Sequence, residues 1–303
     1  MRVLVTGGAG LIGMALRRGL AAAGHEVVAV DITDFGRDDP GLVLLPLSDI
    51  EGLARLADAR RIEAIVHGGG VSGPMMMRDD PAGIVATNTV STAALLDIAR
   101  RREARFLLLS SHVVYGETGD AVIDEDRPPR PTTTYAASKA GADALVASFR
   151  HEFAADAASL RLTRVYGAYR RANCFLRQAI LDAAAGRETV IKCDPDFPYH
   201  YLYVEDIVGA VAAALAAPKL AHPVYDVTSG EILFMPEIAD ILRATLPGAR
   251  ITLVPGRDDA PEVQAAFAAR RLTADTGWHP AWPLRKGLAD YAARLAAEPG
   301  AAG

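Results

Sequence analysis

The stretch Val3-Leu4-Val5-Thr6-Gly7-Gly8-Ala9-Gly10-Leu11-Ile12-Gly13 constrains this chain more than any other: an apolar run, a cluster of glycines, then an amphipathic segment. It predicts a strand, a tight turn and a helix. The glycines at i, i+3 and i+6 have separate physical roles. Gly7 permits the turn, Gly10 lets the backbone approach a pyrophosphate, and Gly13 lets the helix pack closely on the strand. An anion so placed meets a helix N-terminus, whose free N–H groups and dipole favour it without any basic side chain.

Ile12, Leu16 and Leu20 then recur on one helical face, and Gly24 closes the helix before a strand from Glu26 to Val30. Asp31 ends that strand, 18 residues beyond Gly13, where an acidic side chain accepts hydrogen bonds from adenosine ribose hydroxyls. NAD is therefore the expected cofactor, with Gly7, Gly10, Leu11, Ile12, Gly13 and Asp31 among its contacts. A 2′-phosphate would be repelled by Asp31. Ile32 and Thr33 offer no compensating cation, and Arg37 supplies one only if its loop folds back.

Val43 to Pro46 reads as a third strand, and Asp49 of Ser48-Asp49-Ile50 as a helix cap or as a carboxylate facing the adenine amino group, with Ile50 beside it. Ala64 to His67 is a fourth strand running into Gly68-Gly69-Gly70-Val71-Ser72-Gly73, a second backbone-rich turn that can lie along the cofactor. Pro81 opens a helix to about Arg102 that carries Asn88, and Phe106 to Leu109 is a buried fifth strand. This alternation predicts an α/β fold, a doubly wound parallel Rossmann sheet. The fifth strand delivers Ser111 and His112 to the carboxyl edge, where such sheets place their ligands. Thr134 reads as the cap of the next helix, opened by Tyr135-Ala136-Ala137-Ser138-Lys139, with phenol and ammonium on one face. Leu160 to Val165 is a sixth strand, after which the alternation stops. The expected division is a cofactor domain of residues 1–166 plus about 201–228, and a smaller C-terminal substrate-binding lobe of about 167–200 and 229–303.

Among 303 residues, half are hydrophobic, 23% are charged and the net charge is −5, which fits a soluble globular protein and leaves no electrostatic footprint for nucleic acid. No apolar run is read as approaching a membrane span, and the chain opens on a core strand instead of a signal segment, so the expected location is cytoplasmic. Cys174 and Cys193 lack metal-ligand spacing and read as reduced thiols.

With Gly7-x-x-Gly10-x-x-Gly13, Asp31, Asn88, Ser111 and Tyr135-x-x-x-Lys139 in this order, the chain resembles the extended short-chain dehydrogenase/reductase family, the NAD-dependent sugar epimerases and dehydratases, over nearly its whole length. The resemblance implies a catalytic set of Ser111, Tyr135 and Lys139. Tyr135 would take the hydroxyl proton while hydride leaves the same carbon, Ser111 would hold the substrate oxygen, and Lys139 would lower the phenol's pKa and hold the nicotinamide ribose. Cofactor contacts extend on the same ground to Asp49, Ile50, Gly68, Gly69, Gly70, Asn88 and Val165, with Asn88 tying its helix to neighbouring backbone. It further implies a homodimer through helices 81–102 and 135–154, the second carrying the small residues Ala137, Gly141, Ala144 and Ser148.

Departures from the family pattern bear on the substrate. Dehydratases and decarboxylases of this kind carry acidic residues directly after the strand-five serine or threonine, where this chain has His112 and Val113. His112 is either an alternative acid or an imidazole hydrogen-bonded to backbone. Arg164 stands where an asparagine is usual, and Tyr199 where an arginine commonly clamps a diphosphate. Arg170-Arg171-Ala172-Asn173 supplies cations at the start of the lobe, and Gly69-Gly70-Val71-Ser72 with Ser111-His112 looks like the uronate dehydrogenase branch. The candidate substrate contacts are thus Ser72, Ser111, His112, Arg164, Arg171, Asn173 and Tyr199, with Arg171 a carboxylate or phosphate anchor or else a solvated loop residue. Epimerisation and net dehydrogenation both remain open; the intact Ser111, Tyr135 and Lys139 argue against a non-catalytic NAD-binding regulator.

Overall fold

A computed structural model of the chain describes residues 1–73, 76–170, 174–256 and 262–297. The apolar N-terminal strand β1 (Arg2–Thr6) runs through the glycine turn into α1 (Leu11–Ala22), followed by β2 (Glu26–Asp31), β3 (Leu42–Leu44), α2 (Ile50–Ala59) and β4 (Ala64–His67). The next crossover is α3 (Pro81–Val85), a π-helical turn (Ala86–Val90) and α4 (Ser91–Arg101). Then come β5 (Arg105–Ser111), a 3-10 turn (His112–Tyr115), α5 (Thr134–Phe153) and β6 (Ala157–Leu162). The remainder is β7 (Arg164–Tyr166), α6 (Phe175–Ala184), β8 (Glu188–Cys193), β9 (Tyr201–Tyr203), α7 (Val204–Ala216), β10 (Val224–Val227), α8 (Met235–Thr245), β11 (Arg250–Pro255), α9 (Arg271–Thr276) and α10 (Leu284–Ala297).

Seven strands form one sheet in the order β10-β6-β5-β4-β1-β2-β3, every pairing parallel. Both faces are covered, which is why these strands read as apolar runs without alternation. Leu53, Leu95, Leu96 and Val146 of α2, α4 and α5 pack on Leu4, Ile65 and Phe106. On the other face Leu16, Leu20, Ile207 and Val211 of α1 and α7 pack on Val3, Val5 and Leu107. A third core joins α6, α8, α10 and β8 through Leu176, Ile238, Leu288 and Ile191 around Tyr166, Tyr199, Tyr201 and Tyr203. Strand order reverses at β1, between β4 and β2, and the crevice at that switch point is where such sheets bind ligands.

The expected sixth strand 160–165 is two strands. The Thr163 N–H donates to the Val227 carbonyl (3.2 Å), but the Arg164 N–H donates to that of His200 (2.9 Å). The chain thereby changes partner, and β7 pairs with β9 outside the main sheet. The cap of α5 is Thr133, whose Oγ1 accepts the Ala136 N–H (3.1 Å); Thr134 is already helical. α9 seats Leu272 in the core with α7. Contrary to expectation, the helical run Pro81–Arg101 is long and apolar enough to cross a membrane by length and composition. Its buried residues include Ile84, Leu95, Leu96 and Ile98, so much of that apolarity is turned to the core.

His67 ends β4 at 1% exposure, its Nδ1 paired with Thr6 Oγ1 (2.7 Å). Burial, then the Lys139 charge, push its pKa to about 3. The unfolded chain therefore binds a proton below about pH 6.5 that the fold refuses, and this contribution to stability falls with acidification toward pH 3. From pH 7 to 5 it is worth about 2 kcal/mol. In urea titrations at both pH values, His67→Gln is expected to flatten the dependence by that amount; an unchanged slope would refute the assignment.

Candidate active site

Gly7 has φ +73°, and a Cβ there would lie 2.8 Å from the Gly69 nitrogen; one at Gly13 would overlap the Gly7 carbonyl oxygen. The Gly10 N–H donates to that oxygen (3.1 Å), and Gly10 begins α1 without a side-chain cap. The first-turn N–H groups at Leu11 and Ile12 thus have no side-chain oxygen competing for them, as a bound pyrophosphate requires. Asp31 accepts the Ala9 N–H (3.0 Å) and the Ile32 N–H (2.7 Å), which fixes its carboxylate against this turn. These residues fit a dinucleotide.

The loop after β2 does fold back. Arg37 Nη1 donates to the Ala9 carbonyl (2.9 Å), with the guanidinium against the rings of Phe35 and Tyr169 (5.4 and 5.3 Å). A cation therefore does stand beside the turn, bonded to the carbonyl of Ala9, the residue whose N–H Asp31 holds. Asp31→Ala is expected to weaken NAD about ten- to a hundredfold and to narrow the preference over NADP. Titrating both cofactors checks this, and an unchanged NAD affinity would remove Asp31 from the ribose.

The second turn stacks on the first: the Gly69 N–H donates to Thr6 Oγ1 (3.0 Å), and Gly68 packs under Leu109. Gly70, at φ +151°, leaves room for Asn88 Oδ1. Asn88 is 1% exposed, accepts the Val71 N–H (2.8 Å), and donates to the Val71 carbonyl (3.2 Å) and Ser138 Oγ (2.9 Å). Its side-chain polar atoms are thus engaged in tying this turn to α5, the tie to neighbouring backbone that was expected of it. Asp49 caps α2 through the Gly52 N–H (2.8 Å), beside the exposed Ile50. The half-buried Val165 accepts Arg170 Nη1 on its carbonyl (2.8 Å).

Ser111 ends β5, and Tyr135 and Lys139 occupy successive turns of α5. The Ser111 hydroxyl acts on the phenol and favours its ionised form, and Lys139 Nζ donates to the Leu109 carbonyl (3.0 Å). The expectation that Lys139 lowers the pKa of Tyr135 is not met. Burial raises the phenol's pKa, the Ser111 hydroxyl works against it, and the ammonium is turned to a carbonyl of β5. Burial also lowers Lys139 to about 8, opposed by Asp143. Asp143 in turn pairs with Arg161 (2.7 Å), both below 5% exposed.

On the substrate side, burial pushes His112 to about 4. The neutral ring is thereby favoured. Tyr199 is 1% exposed in a stack with Tyr201 and beneath the Arg164 guanidinium (5.2 Å), so the ring supports Arg164 instead of lining a pocket as expected. Ser72 is exposed at the mouth of the second turn. Arg171 and Asn173 lie outside the described residues. Sequence reasoning missed Gln264, which holds His112 from a segment with no motif of its own.

Residues 3–227 match the sequence model of the NAD dependent epimerase/dehydratase family. The chain is 27% identical to a dTDP-glucose 4,6-dehydratase of Xanthomonas campestris pv. campestris, over 94% of this chain and 90% of that protein. It is 30% identical to the low-salt glycan biosynthesis protein Agl12 of Haloferax volcanii, over 95% and 96%. Its fold superposes on the Thermus thermophilus UDP-glucose 4-epimerase in complex with NAD with a TM-score of 0.85, at 24% identity, over 98% and 99% of the two chains.

Proposed function

The chain belongs to the NAD-dependent epimerase/dehydratase family of extended short-chain dehydrogenases/reductases, and on that premise we propose that it oxidises a secondary hydroxyl of a sugar or sugar acid. The observation that carries this is the placement of Ser111 at the end of β5 with Tyr135 and Lys139 on successive turns of α5, at the carboxyl edge of a sheet whose neighbouring turn fits a dinucleotide. Tyr135, once ionised, takes the hydroxyl proton, and Ser111 holds the oxygen as it becomes a carbonyl. A bound NAD would supply the hydride acceptor and a positive charge favouring the phenolate that burial disfavours. Lys139 adds a charge on the same helix face.

A small sugar or sugar acid is favoured over a nucleotide sugar by Tyr199, a buried ring standing where the family resemblance implies a diphosphate-binding arginine. A second reading, a UDP-sugar 4-epimerase, is supported by the relatives, which act on nucleotide sugars by name. Turnover of free uronates, aldonates and unphosphorylated sugars beside UDP-, GDP- and dTDP-sugars separates the two. NADH absorbance marks net dehydrogenation, and product chromatography without NADH marks epimerisation. Turnover of a nucleotide sugar alone, unaffected by Arg171→Ala, overturns the small-substrate reading and its anchor.

We also propose a cytoplasmic homodimer. Val85, Val90, Ala137, Ala144 and Ser148 are exposed on the two helices expected to pair, which suits close helix contact. A monomer in sedimentation at micromolar concentration would refute it.

A further inference from the structure

A polar strap crosses the catalytic edge. Gln264, 3% exposed, uses its amide NH2 on two backbone carbonyls, those of His112 (3.1 Å) and Gly116 (3.0 Å). With both amide hydrogens so directed, the remaining oxygen, Oε1, is an acceptor, and it faces His112 Nδ1 within hydrogen-bond distance. The strap is itself fixed on both sides of Gln264: Thr132 Oγ1 donates to Glu262, the Val263 N–H to Glu117 (2.9 Å), the Ala265 N–H to Thr118 Oγ1 (3.2 Å), and His200 Nε2 to the Gln264 carbonyl (2.8 Å). A buried amide with its donors committed cannot turn over without leaving two carbonyls unpaired.

Only one imidazole form satisfies this geometry with a neutral ring: the proton sits on Nδ1, and Nε2 carries a lone pair. We infer that Gln264 is a positioning residue that fixes His112 in this tautomer, so that Nε2 presents a hydrogen-bond acceptor to a substrate hydroxyl next to Ser111. The inference rests on the hydroxyl-oxidising reading above. The other charged or titratable groups acting on His112 are His200 and Arg164, and both favour the neutral ring. Val113, the next residue, has no side-chain proton to give. The place therefore selects a substrate with a donor hydroxyl there and lacks the proton donor that elimination needs. The chemistry assigned is oxidation with return or release of the ketone, without dehydration.

The test uses the full chain labelled with 15N-histidine, with His112→Asn to assign its signals among the seven histidines. Long-range proton–nitrogen correlation is expected to show His112 protonated at Nδ1 alone from pH 8 to pH 5; protonation at Nε2 overturns the inference. In Gln264→Glu the carboxylate raises the imidazole's pKa and charges the ring, turning Nε2 into a donor. KM is expected to rise about tenfold at pH 6.5 with kcat little changed, and to recover as pH rises; a KM and pH profile like the parent's would overturn the positioning role. Should that variant fail to fold, the spectrum of the unaltered protein still decides. If no sugar is turned over while His112 shows the Nδ1 form, the functional reading fails and the tautomer stands; turnover with an Nε2 proton fails the inference alone.

Discussion

Tyr135→Phe is expected to lower kcat about a hundred- to ten-thousandfold while leaving NAD affinity near that of the parent. The ring is 8% exposed and sits in the first turn of α5, so phenylalanine keeps its packing and removes only the oxygen that exchanges the proton. The neighbouring groups do not substitute. Ser111 is a hydroxyl with no base of its own, His112 is neutral with its Nδ1 proton committed to Gln264, and the Lys139 ammonium is turned to the Leu109 carbonyl. Steady-state rates beside a cofactor titration check both halves of this expectation. Activity above a few per cent of the parent's would place the base elsewhere, and a matching loss of NAD affinity would mean that the substitution disturbed the fold of the cleft.

Asp143→Ala is expected to destabilise the protein by about 3–5 kcal/mol, because it strands the Arg161 guanidinium in the interior. Arg161 is 4% exposed and lies over the Tyr115 ring (4.7 Å), whose hydroxyl donates to both oxygens of the buried Asp226 (2.9 Å each). Removing both members, as Asp143→Leu with Arg161→Met, should cost less than the single change, since no unpaired charge remains. Urea unfolding of the three variants checks this, and a single change costing under about 1 kcal/mol would show that the pair is not desolvated. Asp143 also supports the charge on Lys139, so the single variant should shift the alkaline limb of activity downward in pH, as Lys139 gives up its proton more readily.

What the sequence showed and what it hid divide by distance along the chain. The glycine turn, Asp31, the Tyr135–Lys139 spacing and the parallel sheet are written in local patterns: apolar runs, glycine spacing and helix periodicity. Where a fold rule joins strands, Ser111 could be placed beside α5 without coordinates. The break at Thr163 was not legible, because 160–165 has a continuous strand pattern and only the competing carbonyls of Val227 and His200 divide it. Arg37 needed the conformation of its loop. Gln264 lies 152 residues from His112, in a segment whose own residues carry no periodicity or turn signal for that contact. The same distance hid the real role of Tyr199: a position in a family pattern says which residue is missing, and only packing says where its replacement points.

The strand order has a consequence for how this molecule comes into being. β1 is made before the other strands of its sheet, yet it lies inside that sheet, and its partner on one side, β4, begins about sixty residues later. Until then Val3, Leu4 and Val5 have one open edge, with backbone groups free to pair with any other extended chain. Each later strand joins by a distant parallel contact, the kind that closes slowly, and β10 reaches β6 only after β7, α6, β8, β9 and α7 have been made. Recovery from denaturant should therefore depend steeply on protein concentration, with material lost to intermolecular strand pairing in the interval before β4 covers the edge of β1.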